Sequence, residues 1–196
     1  MAVGIYRGVG NVARKVKAEY RGVGNVARKV FGSTLKLYDY GDECSADSGG
    51  WTPLKWRGSF DTLTRTKKSN HLYAYGTTGL AVVWAYLGWG TTKKIDVSGY
   101  SKLKAVIAGG NNYDNTGAYV ALMNELIDEP MNDSRSSYPV VKAERTSELS
   151  TAESTIELDL TDVTGEYYIG AYACTYNPHT DNTYYASLYV YKIWLE

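Results

Sequence analysis

Over most of this chain apolar and polar residues alternate with a period of two, the pattern of a strand with one buried face. Thr34 to Tyr40 (TLKLYDY) alternates in this way, and so does Thr155 to Leu160 (TIELDL). Further strands are predicted over residues 56–67, 70–76, 79–87, 93–97, 102–108, 140–145, 167–176 and 184–195, separated by Ser-Asn, Thr-Gly and Ser-Gly turn signals. Residues 119–123 read as a strand, although 118–128 (AYVALMNELID) also has helical spacing. Residues 41–50 form an acidic, glycine-rich loop ending at Trp51. Residues 109–117 (GGNNYDNTG) form a long polar loop, and residues 129–139 are irregular. The last strand is apolar on both faces, which predicts a central position in its sheet. Strands of this length with hardly any helix describe an all-β chain whose residues 33–196 fold as a β-sandwich.

Before the sandwich lies a direct repeat. YRGVGNVARKV occupies residues 6–16 and again 20–30, a period of fourteen. Gly8-Val9-Gly10-Asn11 is a turn signal, because glycine and asparagine reach positive φ at little cost. From Val12 to Arg21, Val12, Val16, Ala18 and Tyr20 alternate with Lys15, Lys17, Glu19 and Arg21, interrupted only by Ala13 and Arg14, which predicts one strand. Residues 1–32 therefore form a β-repeat arm, either a meander or, if three chains wind together, a fibrous spiral. Two short units bury little alone, so the arm is expected to attach or oligomerise, a trimer being favoured, through Tyr6, Val12, Val16, Tyr20, Val26 and Val30. Gly8 to Ala13 also fits the G-x-G-x-x-A dinucleotide fingerprint. The hydrophobic strand before it and the amphipathic helix after it are both missing, so no nucleotide or other cofactor is expected.

Net charge is zero over 196 residues, yet residues 1–32 hold seven basic residues (Arg7, Arg14, Lys15, Lys17, Arg21, Arg28, Lys29) against Glu19 alone. Without an aromatic platform or groove-reading helix, this points to a solvated or subunit-facing strand and not to nucleic acid. Cys44 and Cys174 are too far apart in sequence to say whether they pair. His71 and His179 are isolated, so no zinc site is expected. A calcium ion in the loops 111–115 or 128–133 stays open, since oxygen ligands are plentiful but no EF-hand spacing is present. The N-terminus lacks an apolar signal region and no apolar run could span a bilayer, so a soluble protein without secretion signal or membrane partner is expected.

Nineteen tyrosines and five tryptophans against two phenylalanines favour aromatics with a polar tip, suited to half-exposed surfaces. For glycoside cleavage, which needs two facing carboxylates, Asp39, Asp42 and Glu43 near Trp51 are the best candidates, but acidic residues in such a loop are ordinarily solvated. Two histidines leave no Ser-His-Asp arrangement to choose from. No enzymatic activity is expected. Sugar binding needs flat aromatic faces beside planar polar groups. Trp51, Trp56 and Trp89 adjoin predicted loops, and Tyr113 lies among Asn111, Asn112, Asp114 and Asn115. Trp84 and Trp194 are expected in the core. Tyr168, Tyr172 and Tyr176 would project from one face of one strand.

Four strings, LYDYGDECSADSGGW (37–51), KKIDVSGYSKLKA (93–105), TIELDLTDVTGEYYIGAY (155–172) and YKIWLE (191–196), follow the RGVGNVARKV repeat. Together they resemble structural proteins of bacteriophages and prophages of gut Firmicutes. The resemblance implies a virion protein made in the host cytoplasm. Its arm would bind other virion proteins, and its jelly-roll-like, carbohydrate-binding-like sandwich would face a host cell-surface glycan on a tail, baseplate or fibre. Residues 52–90 and 106–150 lie outside the resemblance, so it implies no particular ligand. A capsid decoration or head-fibre protein, and a bacterial glycan-binding module, stand as alternatives.

Overall fold

The computed structural model describes the backbone of residues 6–9, 12–15, 18–23, 26–32, 34–56, 60–78, 83–111, 117–128, 139–146, 151–177 and 183–196. It describes the side chains of 34–55, 60–78, 85–110, 117–128, 139–146, 151–175 and 183–196.

In the repeat, β1 (Tyr6–Val9) pairs antiparallel with β2 (Val12–Lys15), and β3 (Ala18–Val23) with β4 (Val26–Gly32). The register Tyr6 to Lys15 and Arg7 to Arg14 recurs fourteen residues on as Tyr20 to Lys29 and Arg21 to Arg28. Identical segments thus share one register around the turn, and the second hairpin runs on past a bulge between Glu19 and Tyr20. Val9 pairs with Val12 and Val23 with Val26, so the chain reverses where the glycine signal predicts. The single strand expected from Val12 to Arg21 is instead divided between β2 and β3, because each copy closes its own hairpin. Val16 and the side chains of Tyr6, Val12, Tyr20, Val26 and Val30 lie outside the described residues.

The sandwich follows as β5 (Leu35–Asp39), a single helical turn α1 (Ser45–Ser48), β6 (Trp51–Trp56), β7 (Thr62–Lys67), β8 (Leu72–Thr78), β9 (Val83–Thr91) and β10 (Ile95–Asp96). The chain continues with β11 (Lys102–Asn111), β12 (Ala118–Met123), β13 (Val140–Arg145), β14 (Ser154–Asp159), β15 (Glu166–Asn177) and β16 (Tyr184–Leu195). Two antiparallel sheets result. One has the order β13-β12-β15-β9-β6, with β10 also on β15; the other has the order β14-β11-β16-β8-β7, with β5 also on β16. Each is named below for its long inner strand, β15 or β16. The all-β, two-sheet expectation holds, and β16 is central as its two-sided apolar pattern predicts.

Alternation decides which side chains meet between the sheets. Ile169, Ala171 and Ala173 of β15 and Ala186, Leu188, Val190, Ile193 and Leu195 of β16 share one core with Leu72, Leu87, Leu103, Ile107 and Val120. A second, smaller cluster lies on the outer face of the β15 sheet, where Leu54, Ala121, Met123, Ile127 and Tyr172 pack together.

The pattern misplaces two strands. Residues 56–67 do not form one strand: β6 begins at Trp51 and β7 lies in the opposite sheet. Pro53 hides β6, since proline cannot donate to a ladder, but β6 lies at the sheet's edge, paired with β9 and otherwise bridged, among the described residues, at Lys55 to Asp128. The strand expected over 79–87 is observed as β9, displaced toward Gly88 and Gly90, which read as loop residues. A Cβ on Gly88 would stand 2.2 Å from the Ala171 carbonyl oxygen and 2.7 Å from Tyr172 Cα, so glycine lets β15 approach there. The ambiguity over 118–128 resolves to a strand through Met123. The following residues cross the sheet's outer face, where Lys55 N–H donates to the Ile127 carbonyl at 2.8 Å. Cys44 and Cys174 are both free thiols.

Candidate functional site: a tyrosine band on the β16 sheet

Two of the tryptophans expected at a sugar surface are core residues. Trp51 is 3% exposed and Trp89 2%. Trp51 packs edge-on against Tyr38, with ring centroids 5.9 Å apart, and its Nε1–H donates to the Leu37 carbonyl at 2.9 Å. Trp89 Nε1–H donates to the Tyr73 carbonyl at 3.2 Å. Both sit next to glycines, which makes them look loop-adjacent, but both point into the sandwich. The side chains of Trp56, Trp84 and Asn111, and all of Asn112, Tyr113 and Asp114, lie outside the described residues. Trp194, expected in the core, is instead half-buried on the outer face of β16, with Lys192 Nζ 5.0 Å from its ring centre.

The acidic loop is committed to structure. Glu43 accepts from Trp51 N–H at 3.1 Å and from Lys67 Nζ at 2.8 Å, and Asp42 Oδ1 accepts from Cys44 N–H at 2.9 Å. Asp39 pairs with Lys36 Nζ at 2.5 Å and Lys192 Nζ at 3.7 Å; the Lys36 hydrogen bond foremost holds its carboxyl below the usual range. A general acid needs its pKa raised, the opposite of what these lysines do to Asp39.

Tyr168 and Tyr172 do share the outer face of β15, as alternation predicts. However, Tyr172 is buried beneath Tyr119, the rings stacked at 4.7 Å and 7°, with Tyr86 at 6.0 Å. Leu126 and Ile127 cover the same face, so it is closed by the chain itself.

On the opposite outer face, that of the β16 sheet, a row of half-buried tyrosines stands. Outward positions of β8 and β16 bring Tyr73 beside Tyr189, with ring centroids 5.0 Å apart, and Tyr75 beside Tyr185, at 6.1 Å with planes within 28°. His71, just before β8, lies 5.3 Å from Tyr189 and 5.4 Å from Tyr191. Tyr191 in turn lies 6.1 Å from Tyr40, which is 49% exposed. Tyr191 is the extra residue of a bulge, since Val106 pairs with Lys192 but Ile107 with Val190.

Small residues flank these rings. On β7, Leu63 packs inward against the core, so Thr62, Thr64 and Thr66 stand on the outer face beside Thr77, Tyr75 and Tyr73. On β11, Ala108 and Gly110 pair with Tyr189 and Ser187, and a Cβ on Gly110 would stand 3.9 Å from Tyr185 Cε2. At that distance a Cβ would make only ordinary contact with the Tyr185 ring. Burial pushes the Tyr73 phenol up, with the Tyr189 phenol adding to it, and burial does the same at Tyr191. Both stay protonated donors at neutral pH.

Sequence reasoning did not assemble this band, because its members come from residues 40, 71–75 and 185–194. The available signal was the alternation HLYAY paired with YYASLYVYKIW, which puts every one of their tyrosines but Tyr184 on one face once the two strands are neighbours.

Among the described residues no three His, Cys, Asp or Glu side chains come together to hold a metal, and no helix is long and apolar enough to cross a membrane. No protein-family model matches the chain, and no curated protein matches it. Among solved structures it is similar to the glycoside hydrolase domain of Endo-D from Streptococcus pneumoniae R6, with 13% identity and a TM-score of 0.47 over 75% of this chain and 22% of that one. It is also similar to TmCBM27, a carbohydrate-binding module solved for its specific recognition of mannan, with 9% identity and a TM-score of 0.35 over 84% and 98%. The chain thus spans about a fifth of the first structure's length. Both likenesses are too distant to bear on what this chain binds.

Proposed function

We propose that this chain is a non-enzymatic recognition protein of a bacteriophage particle, in which a jelly-roll-like sandwich binds a host-surface glycan through the outer face of the β16 sheet. One observation carries the binding reading: Tyr40, Tyr191, His71, Tyr189 and Tyr73 form an unbroken chain of half-buried or exposed rings. Aromatic faces flanked by hydroxyls match a sugar ring, which offers an apolar C–H face and a periphery of hydroxyl groups. The commitment of Asp39, Asp42 and Glu43 to structural partners supports a site without hydrolytic chemistry. The virion role rests on the terminal strings and the repeat, whose two hairpins would attach or oligomerise the arm.

Two measurements test the halves of this reading. Retention of the purified chain in gels containing host cell-wall polysaccharide, abolished in Tyr189→Ala, supports recognition, whereas equal mobility with and without polysaccharide favours a purely structural sandwich. Light scattering of the full chain beside a truncation beginning at Ser33 tests the arm. A larger assembly that falls to a monomer on truncation supports it, and two monomers remove the oligomerising role.

A further inference from the structure

Resting on that reading, we infer that the band takes an uncharged, unbranched polysaccharide lying lengthwise along the β8–β16 seam. Shape comes first. From Tyr185 to Tyr191 the band follows β16 for six residues, roughly 20 Å at about 3.3 Å per residue, with Tyr73 and Tyr75 alongside on β8. Across the strands it is narrow: Thr64 and Thr66 bound it on one side, and Ala108 and Gly110 on the other. A surface several sugar rings long and about two strands wide seats a linear chain, and a branch directed toward β7 would meet the threonine row.

Charge decides the class of chain. A polyanion is held by cations free to face it, as in phosphate and carboxylate sites. Four lysines at this band's rim are already matched, and Lys68, beside His71, stands apart from these pairs. Lys36 and Lys192 flank Asp39; Lys102 and Lys104 converge on Glu157; Lys104 also reaches Glu196 at 2.5 Å. Glu153 adds a carboxylate oxygen 3.4 Å from the Tyr40 hydroxyl, at the band's exposed end. An acidic polymer laid over the tyrosines would meet this carboxylate and would have to compete for lysines held by their own partners. A neutral chain meets rings, threonine hydroxyls and protonated phenols without displacing an ion pair.

The test is affinity electrophoresis and calorimetry of the full chain on a panel of unbranched neutral polymers (a glucan, a mannan and a xylan) beside polygalacturonate and alginate, at low and high salt. The expected result is retention by at least one neutral polymer, unchanged by salt and lost at least tenfold in Tyr73→Ala and Tyr189→Ala, with no retention by the polyuronates. Glu157→Gln removes the carboxylate shared by Lys102 and Lys104, and is expected to leave neutral binding intact while adding weak, salt-sensitive retention by polygalacturonate. Retention of the unaltered chain by polyuronates alone, falling with salt, overturns this inference and leaves recognition standing. Retention by no polymer overturns the recognition reading and this inference together.

Discussion

The indole Nε1–H of Trp51 donates to the carbonyl of Leu37 at 2.9 Å, and this bond crosses from one sheet to the other. Leu37 is the extra residue of a bulge, because Tyr38 pairs with Ile193 while Lys36 pairs with Trp194. Trp51 therefore serves a carbonyl that the irregular ladder does not. Trp51→Phe should keep most of the packing and leave that buried carbonyl unsatisfied, at a cost of about 1–3 kcal/mol. Trp51→Ala should cost about 3–5 kcal/mol through the cavity as well. Urea denaturation followed by far-ultraviolet circular dichroism reads both. A value near zero for Trp51→Phe would mean that the indole hydrogen bond does not link the sheets.

Tyr40 offers the cleanest probe of the band. At 49% exposed it makes little of the core, so Tyr40→Ala should change stability by less than about 0.5 kcal/mol. If a glycan lies over the rings, the same substitution should weaken binding severalfold, measured by calorimetry. Unchanged affinity would end the ligand path short of Tyr191. Among the tryptophans whose side chains are described, Trp194, half-buried beside the band, is the one whose emission should respond to ligand, whereas Trp51 and Trp89 should stay silent.

Alternation carried the sandwich and the central place of β16 directly from the chain, because a strand with one buried face writes its geometry as a period of two. The errors fall where a residue type signals a break that tertiary structure overrides. Pro53 lies in a strand because β6 is an edge, and Gly88 lies in a strand because β15 comes too close for a side chain. The tryptophans misled for the same reason: flanking glycines made Trp51 and Trp89 look loop-borne, although their parity along β6 and β9 points inward. The band was legible only as parity within separate strands. That β8 neighbours β16, across more than a hundred residues of chain, is a topological fact no local pattern contains.

The glycines of the β15 sheet make a matched pair of predictions. A Cβ at position 88 would meet backbone, the Ala171 carbonyl oxygen at 2.2 Å, which can yield only if β9 and β15 separate. A Cβ at position 170 would meet Met123 Sδ at 2.4 Å, the far end of a flexible side chain. Gly88→Ala should therefore cost about 3 kcal/mol or fail to give folded protein, while Gly170→Ala should cost about 1 kcal/mol. Melting temperatures of the two variants check the order, and equal losses would show that the separation of β9 and β15 is not fixed by Gly88.

His71 gives the band a dependence on pH whose sign follows from its surroundings. Partial burial among Tyr73, Tyr189 and Tyr191 lowers its pKa, and the nearby Lys68 ammonium lowers it further. Neutral imidazole is thus favoured by folding, and the stability it confers is fully present above the ordinary value of 6.5 and is lost as pH falls through the depressed folded value. Asp39, Glu157 and Glu196 also titrate low in the fold, chiefly through hydrogen bonds from Lys36, Lys102 and Lys104 respectively. Their stabilisation is present above ordinary carboxylate values and is lost only on further acidification, so the two windows separate. Between about pH 7 and 5 the urea midpoint of the unaltered chain should fall, and that of His71→Phe should stay flat while both decline together below pH 4. A parallel decline of the two proteins from pH 7 downward would show that His71 is not the group responsible.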